Sequence, residues 1–293
     1  MKTSSGECVL ALDAGGTAIK AALVTPENEL YDFFETSIAE NGDAADVLNA
    51  FEAAGAAGAH FASLRGLRLR GIGVCVPGPF DYEGGVSLMT HKYGAIRGLP
   101  LRPHIAKAAP GTPVRFMHDS SAFLLGEMSL RPSLGADICA VLIGTGLGFA
   151  CTKGGKLFQN ESGGPGISIF RRPFRGEIAE DFVSKRGIMR TYARLGGHAA
   201  QSVKDMAELA NAGDAHARQA FWESGEALCE ILASILLENS FACMILGGQI
   251  SKAGPLLSLP IQSKLGQMGV PCRVETAMRI DDAPLIGAAR LIP

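Results

Sequence analysis

The chain has 293 residues, 47% of them hydrophobic and 19% charged, with a formal net charge of −2. That composition is ordinary for a globular protein, and the length accommodates two domains with real cores. It lacks the basic excess of a nucleic-acid binder, an apolar run long enough for a transmembrane helix and, over Met1 to Glu7, the apolar core of a secretory signal.

Cys8–Leu12 reads as a buried strand that ends at Asp13. Gly15, Gly16 and Thr17 then make a turn into a second strand, Ile19–Thr25, and a polar turn at Pro26–Glu29 leads to a third, Leu30–Thr36. Glycine lets backbone N–H groups approach an anion closely, so such a turn can form a cup of donors. Thr17 adds a hydroxyl, and Asp13 adds a carboxylate able to hold a hydrated magnesium ion. A phosphate-binding hairpin, and hence nucleotide chemistry, is the first expectation.

Asp43–Leu64 carries Val47, Leu48, Phe51 and Ala54 at helical spacing, with Asp43 as N-cap. Arg70–Val76 is a strand ending at Pro77-Gly78-Pro79, and Val114–Met117 is a strand followed by a helix, Ser120–Met128. A second copy of the opening pattern then appears: strand Ile138–Ile143, turn Gly144-Thr145-Gly146, strand Gly148–Thr152, turn Gly154-Gly155 and strand Lys156–Gln159. Nine residues separate Thr17 from Pro26, and nine separate Thr145 from Gly154. The duplication implies two similar α/β domains across a cleft. Helices are expected over 203–212 and 214–238, then a strand, Phe241–Leu246, a turn at Gly247-Gly248, and a short C-terminal helix, Pro284–Leu291, that packs back on the first domain. The expected boundaries are 1–118 with 282–293 for one domain and 119–281 for the other.

Seven cysteines are scattered singly, with no Cys-x-x-Cys pair, so a zinc site built from cysteines is not expected. Buried free thiols in a reducing cytoplasm fit that usage.

Seven short motifs stand in a fixed order: Asp13-x-Gly15-Gly16-Thr17-x-x-Lys20; Gly73-Val74-x-Val76-Pro77-Gly78-Pro79; His118-Asp119-Ser120-Ser121-Ala122; Ile143-Gly144-Thr145-Gly146-Leu147-Gly148; Glu180-Asp181-Phe182-Val183-Ser184-x-Arg186-Gly187; Leu246-Gly247-Gly248; and Ile286-Gly287-Ala288-Ala289. Over nearly its whole length the chain resembles the ROK family of sugar kinases, within the actin-like, ribonuclease H-like ATPase superfamily. The resemblance implies a two-domain α/β fold with a duplicated unit of mixed β-sheet and helices and an interdomain cleft that binds ATP and Mg2+. Asp13, Gly15, Gly16, Thr17 and Lys20 would attend the terminal phosphates and magnesium, with Asp13 reaching the ion through water. Thr145, Gly146 and Gly148 would bind phosphates from the other side, and Gly247 and Gly248 would lie under the nucleotide. Asp119 matches the catalytic aspartate that accepts the proton of the sugar hydroxyl. Gly78, His91, His118, Asp119 and Glu180 would line the sugar site. A cytoplasmic homodimer acting on a small sugar, with no nucleic-acid or membrane partner, is the form the family implies.

Two local alternatives stand beside this reading. Asp119 also suits an N-cap. Gly144-x-Gly146 could open a dinucleotide fingerprint, but Phe149 replaces the third glycine and a strand follows instead of a helix. A tight hairpin without ligand is the remaining reading of that turn.

The acceptor side departs from the family. Where a Gly-Glu-x-Gly-His motif is usual, this chain has Gly166-Ile167-Ser168-Ile169-Phe170. The zinc-binding cysteine cluster is replaced by Arg171-Arg172-Pro173-Phe174-Arg175-Gly176, so no zinc site is expected. His91 and His118 stand where sugar-contacting asparagines are usual. A site built for one hydroxyl pattern rejects others strongly, so glucose is not carried over as substrate. The three arginines brace the loop, meet an anionic group, or face solvent. The expected function is transfer of the ATP γ-phosphoryl to a hydroxyl of a hexose or amino sugar, with Asp119 as general base. The alternatives are a sugar-sensing regulator, for which no basic recognition helix precedes the first strand, or a binding protein without turnover.

Overall fold

The computed structural model describes residues 6–39, 42–90 and 92–293. Its elements in chain order begin with β1 (Glu7–Ala14), β2 (Ala18–Val24), β3 (Leu30–Ser37), α1 (Ala44–Leu64), β4 (Arg68–Val76), β5 (Phe80–Asp81), β6 (Val86–Ser87), α2 (Arg102–Ile105), β7 (Val114–His118) and α3 (Asp119–Leu130). They continue with β8 (Ile138–Ile143), β9 (Leu147–Lys153), β10 (Lys156–Leu157), β11 (Pro173–Phe174), β12 (Glu177–Ile178), α4 (Lys185–Arg194), α5 (Val203–Ala212) and α6 (Ala215–Asn239). Last come β13 (Cys243–Gly247), α7 (Pro255–Gln267), β14 (Arg273–Thr276) and α8 (Ala283–Ala289).

The chain packs as two compact units. In the first, a five-stranded sheet has the order β3-β2-β1-β4-β7. β1 pairs antiparallel with β2 and parallel with β4. Buried on both sides, β1 carries the unbroken apolar run Leu10-Ala11-Leu12, which is what a central strand with a parallel neighbour requires. α1 opens where Asp43 accepts the Asp46 N–H at 2.8 Å, and it buries Val47, Phe51 and Ala54 on one face.

The first unit also includes 159–164 and the C-terminal residues 282–293. It continues through α3 to Leu130, past the boundary at 118/119 read from the sequence. The reason is the intimacy of α3 with α8. A Cβ on Gly126 would lie 2.0 Å from the Ala283 carbonyl oxygen, and one on Gly287 would lie 1.8 Å from that of Ala122. Only glycine lets these backbones meet.

The second unit repeats the plan, with sheet order β10-β9-β8-β13-β14. β8 pairs antiparallel with β9 and parallel with β13, and β13 pairs parallel with β14. The duplication read from the two glycine turns is therefore a duplication of sheet topology. The core of this unit is built from β8, β9 and β13 against the buried faces of α4, α5, α6 and α7, including Phe149, Tyr192, Phe221 and Leu232. All seven cysteines are free and buried. Among the described residues no helix is long and apolar enough to cross a membrane.

Candidate active site

In the first unit, Asp13 lies near the end of β1, with Lys20 of β2 as its register partner on one side and Cys75 of β4 on the other. Burial keeps the Cys75 thiol well above its usual range, so it stays protonated and donates to Asp13 Oδ1 at 3.4 Å. Asp13 itself is pushed up to about 6, first by burial and then by the charge of Asp119; the Cys75 thiol and Lys20 partly oppose this. Past Asp13, the turn through Gly15, Gly16 and Thr17 faces solvent at Gly15 and Thr17. Gly15 N–H donates to the Ala18 carbonyl at 3.0 Å, and Ile38 N–H donates to the Thr17 carbonyl at 3.0 Å. The buried Tyr93 donates its phenolic O–H to the Gly15 carbonyl. Tyr93 holds a left-handed backbone (φ 50°) and packs edge-on against Phe51 of α1. The turn is thus fixed from beneath, and its outer side is left open.

Asp119 follows β7 directly and is the first residue of α3. His118 Nδ1 lies 2.8 Å from both Asp119 Oδ1 and Ser120 Oγ, and the Ser120 N–H donates to Asp119 Oδ1 at 2.6 Å. Partial burial works against the charge of Asp119. His118, the Ser120 N–H and Lys92 prevail and hold its carboxyl below the usual range. The carboxylate both bonds the backbone at the helix start and keeps its side chain 43% exposed, so capping and chemistry are compatible. Gly78 stands beside this pair: a Cβ there would lie 3.4 Å from His118 Cδ2 and from Tyr82 Oη. His91 lies outside the described residues. The first unit therefore brings together Asp13, Lys20 and the 15–17 turn, and separately joins Gly78, His118 and Asp119; the charge of Asp119 reaches Asp13.

In the second unit, the β8–β9 turn is closed by a Gly144 N–H to Gly146 carbonyl bond at 3.0 Å, and Thr145 at its tip is exposed. Gly148, the second residue of β9, stands opposite Leu142. Gly247 ends β13, and Gly248 has φ 78° with its Cα against Ile143, where a Cβ would lie 2.4 Å from the carbonyl oxygen. The two glycine segments thus meet at adjacent strand ends. Glu180 braces the first of them: its carboxylate accepts the Leu147 N–H at 3.0 Å. Ile167 packs on the core of this unit, and Phe170 is 38% exposed with the Arg171 guanidinium 5.3 Å from its ring centre. Arg172 donates to Ser234 Oγ at 3.0 Å, and Arg175 pairs with Glu230 at 2.8 Å. Both partners lie on α6, so two of the three arginines brace the loop.

Sequence reasoning missed Cys75, Tyr93 and the bond of Glu180 to the turn. No local pattern marks them, because each acts on a partner at least 33 residues away.

The ROK family model matches residues 9–293. The chain belongs to the ROK family. A glucokinase of Thermotoga maritima is 25% identical over an alignment covering 97% of this chain and 96% of its own. An N-acetylmannosamine kinase of Escherichia coli is 26% identical, with 96% and 97% covered. Among solved structures, a ROK family glucokinase from Streptomyces griseus, in complex with glucose and AMPPNP, superposes with a TM-score of 0.79 at 23% identity, covering 97% of this chain and 99% of that one. The fold is the actin-like fold of these kinases.

Proposed function

We propose that this protein, a carbohydrate kinase by family, transfers the γ-phosphoryl of Mg-ATP to a hydroxyl of a hexose or amino sugar, with Asp119 as general base. The observation that carries the proposal is the Asp119 carboxylate, held ionised by His118 and the Ser120 N–H and still partly open to solvent. Asp119 accepts the proton as the acceptor oxygen forms its bond to the γ-phosphorus, and the bond to the bridging oxygen breaks to leave ADP. Base assistance of this kind contributes about 10²–10⁴-fold. The rest of the catalysis is positioning and charge neutralisation. Asp13, Lys20 and the Gly15-Gly16-Thr17 turn serve the terminal phosphates; Thr145, Gly146 and Gly148, with Gly247 and Gly248, serve the nucleotide from the second unit.

Burial, and after it the charge of Asp119, raise Asp13, which fits a place that takes a cation. A bound magnesium ion supplies positive charge to the phosphates, and Asp13 is the residue to hold it through water. Gly78, His118 and Asp119 form the acceptor side, with His91 assigned there by resemblance alone. Glucose and N-acetylmannosamine are the acceptors named for the relatives. The apolar Ile167 and the exposed Phe170 favour a different hydroxyl pattern, and they are also the observation that supports a second reading, a binding protein without turnover.

ADP release measured with Mg-ATP and a panel of hexoses, amino sugars and acidic sugars tests both. The proposal expects one sugar class to stimulate turnover in the wild type and Asp119→Asn to lose it. Equal turnover in the two proteins removes Asp119 as base, and no stimulation by any sugar supports the second reading.

A further inference from the structure

Within the second unit, a cavity of about 520 Å³ lies against α4, α6 and the β11–β12 hairpin. None of the residues assigned above to nucleotide or acceptor lines it. Three guanidinia, Arg175, Arg190 and Arg194, line it beside two carboxylates, Glu177 and Glu223, while Glu230 of α6, outside the lining, pairs with Arg175. Arg190 pairs with Glu177 at 2.6 Å and donates to the Asp181 carbonyl at 2.9 Å; Arg194 pairs with Glu223. Each guanidinium carries five N–H groups in a planar fork, and these pairs use only one or two of them. All three arginine side chains remain about half-exposed.

The wall includes Phe182, with the Arg190 guanidinium 5.2 Å from its ring centre. Ser224 of α6 also lines the cavity. It is 3% exposed, and its hydroxyl has no hydrogen-bond partner among the described residues. A buried hydroxyl is normally satisfied, by protein or by a bound molecule.

We propose that this cavity binds a small phosphorylated polyol of the size of a hexose phosphate. Guanidinium forks match phosphate oxygens with paired, charge-assisted hydrogen bonds. Carboxylates beside them accept the hydroxyl hydrogens of a polyol, which a site for a bare anion has no use for. Phe182 offers an apolar face to the carbon skeleton, and the Ser224 hydroxyl gains its partner. The site is defined by residues of one unit and does not rest on the kinase reading.

Calorimetric titration of the full chain with glucose 6-phosphate, glucose and inorganic phosphate tests it, using the wild type, Arg194→Gln, Ser224→Ala and Asp119→Asn. The proposal expects glucose 6-phosphate to bind more tightly than glucose or phosphate alone. Arg194→Gln should weaken that binding by about tenfold and Ser224→Ala by a smaller factor, while Asp119→Asn leaves it unchanged; a tenfold loss is about 1.4 kcal/mol. Absence of binding overturns the proposal. So does binding that follows Asp119→Asn and ignores both cavity variants, which puts the ligand in the proposed active site. Equal binding of inorganic phosphate and glucose 6-phosphate means an adventitious ion only and also overturns it.

Discussion

Glu180 holds the backbone N–H of Leu147 in its carboxylate at 3.0 Å, and a Cβ on Gly146 would lie 2.8 Å from the same oxygen. Glycine at 146 and glutamate at 180 are fitted to each other, and the turn takes its shape from the pair. Losing a hydrogen bond to a charged group costs about 1.5–3 kcal/mol. Glu180→Ala should therefore raise the KM for ATP by about tenfold, and Glu180→Gln, which keeps an acceptor, should recover most of the loss. Steady-state kinetics with each substrate varied in turn reads this out. A change confined to the KM for the sugar would make Glu180 a sugar contact.

Asp13 sets a pH dependence of opposite sign to that of most carboxylates. Its folded-state value, pushed up to about 6, lies above the ordinary 3.8, so the folded state holds its proton more tightly than the unfolded one. The site is therefore least strained below about pH 4, and stability is lost as pH rises through about 6. Asp13→Asn removes the charge. Without nucleotide, the variant should melt higher than the wild type at pH 7.5, and the gap should close at pH 4.5. Activity should fall in the same variant, since stability and function pull against each other at such a site.

The loop at 171–176 should tolerate loss of its arginines better than loss of its rings. Phe174 and Phe182 meet edge-to-face at 4.9 Å, flanked by Arg175 over Phe174 and Arg190 over Phe182. Exposed ion pairs contribute about 0–1 kcal/mol, whereas removing a packed phenylalanine costs about 3 kcal/mol or more when it is fully buried. Arg172→Ala combined with Arg175→Ala should lower the melting temperature by roughly 2–4 °C. Phe174→Ala, at a half-buried ring, should lower it further. Activity toward neutral sugars should survive the arginine pair.

Gly287→Ala should be among the most damaging single-methyl changes in the chain. The new Cβ would lie 1.8 Å from the Ala122 carbonyl oxygen, a backbone atom that cannot swing away. Overpacking of this kind costs about 3 kcal/mol, which corresponds to a drop of roughly 10 °C in melting temperature. Calorimetric melting of the variant checks it, and a melting temperature unchanged from wild type would show that α8 can shift.

The strands around both glycine turns, and the turns themselves, were legible because they are local: a few residues carry the apolar run, the turn and the next strand. α1 was readable to the residue at its start, since Asp43 caps it next to a regular apolar face. α4, α7 and β14 were not read. α7 has Pro260 in its interior, and an interior proline normally argues against a helix. β14 is four residues at a sheet edge, too short for a period to show. At the candidate site, Asp13 and Asp119 were legible from motif context. The thiol under Asp13 and the phenol under Gly15 were not, since Cys75 and Tyr93 come 62 and 78 residues after their partners and only tertiary packing joins them.

α8 belongs to the first unit and packs against β1 and β4, yet it is encoded after the whole of the second unit. On the ribosome, the first strand waits for residues that emerge only after the whole second unit. The second unit, whose sequence ends at Asp281, has its full complement of residues earlier. The order in which the two units can be completed is therefore the reverse of the order in which they are begun, and the nascent first unit exposes the apolar seat of α8 until those residues emerge.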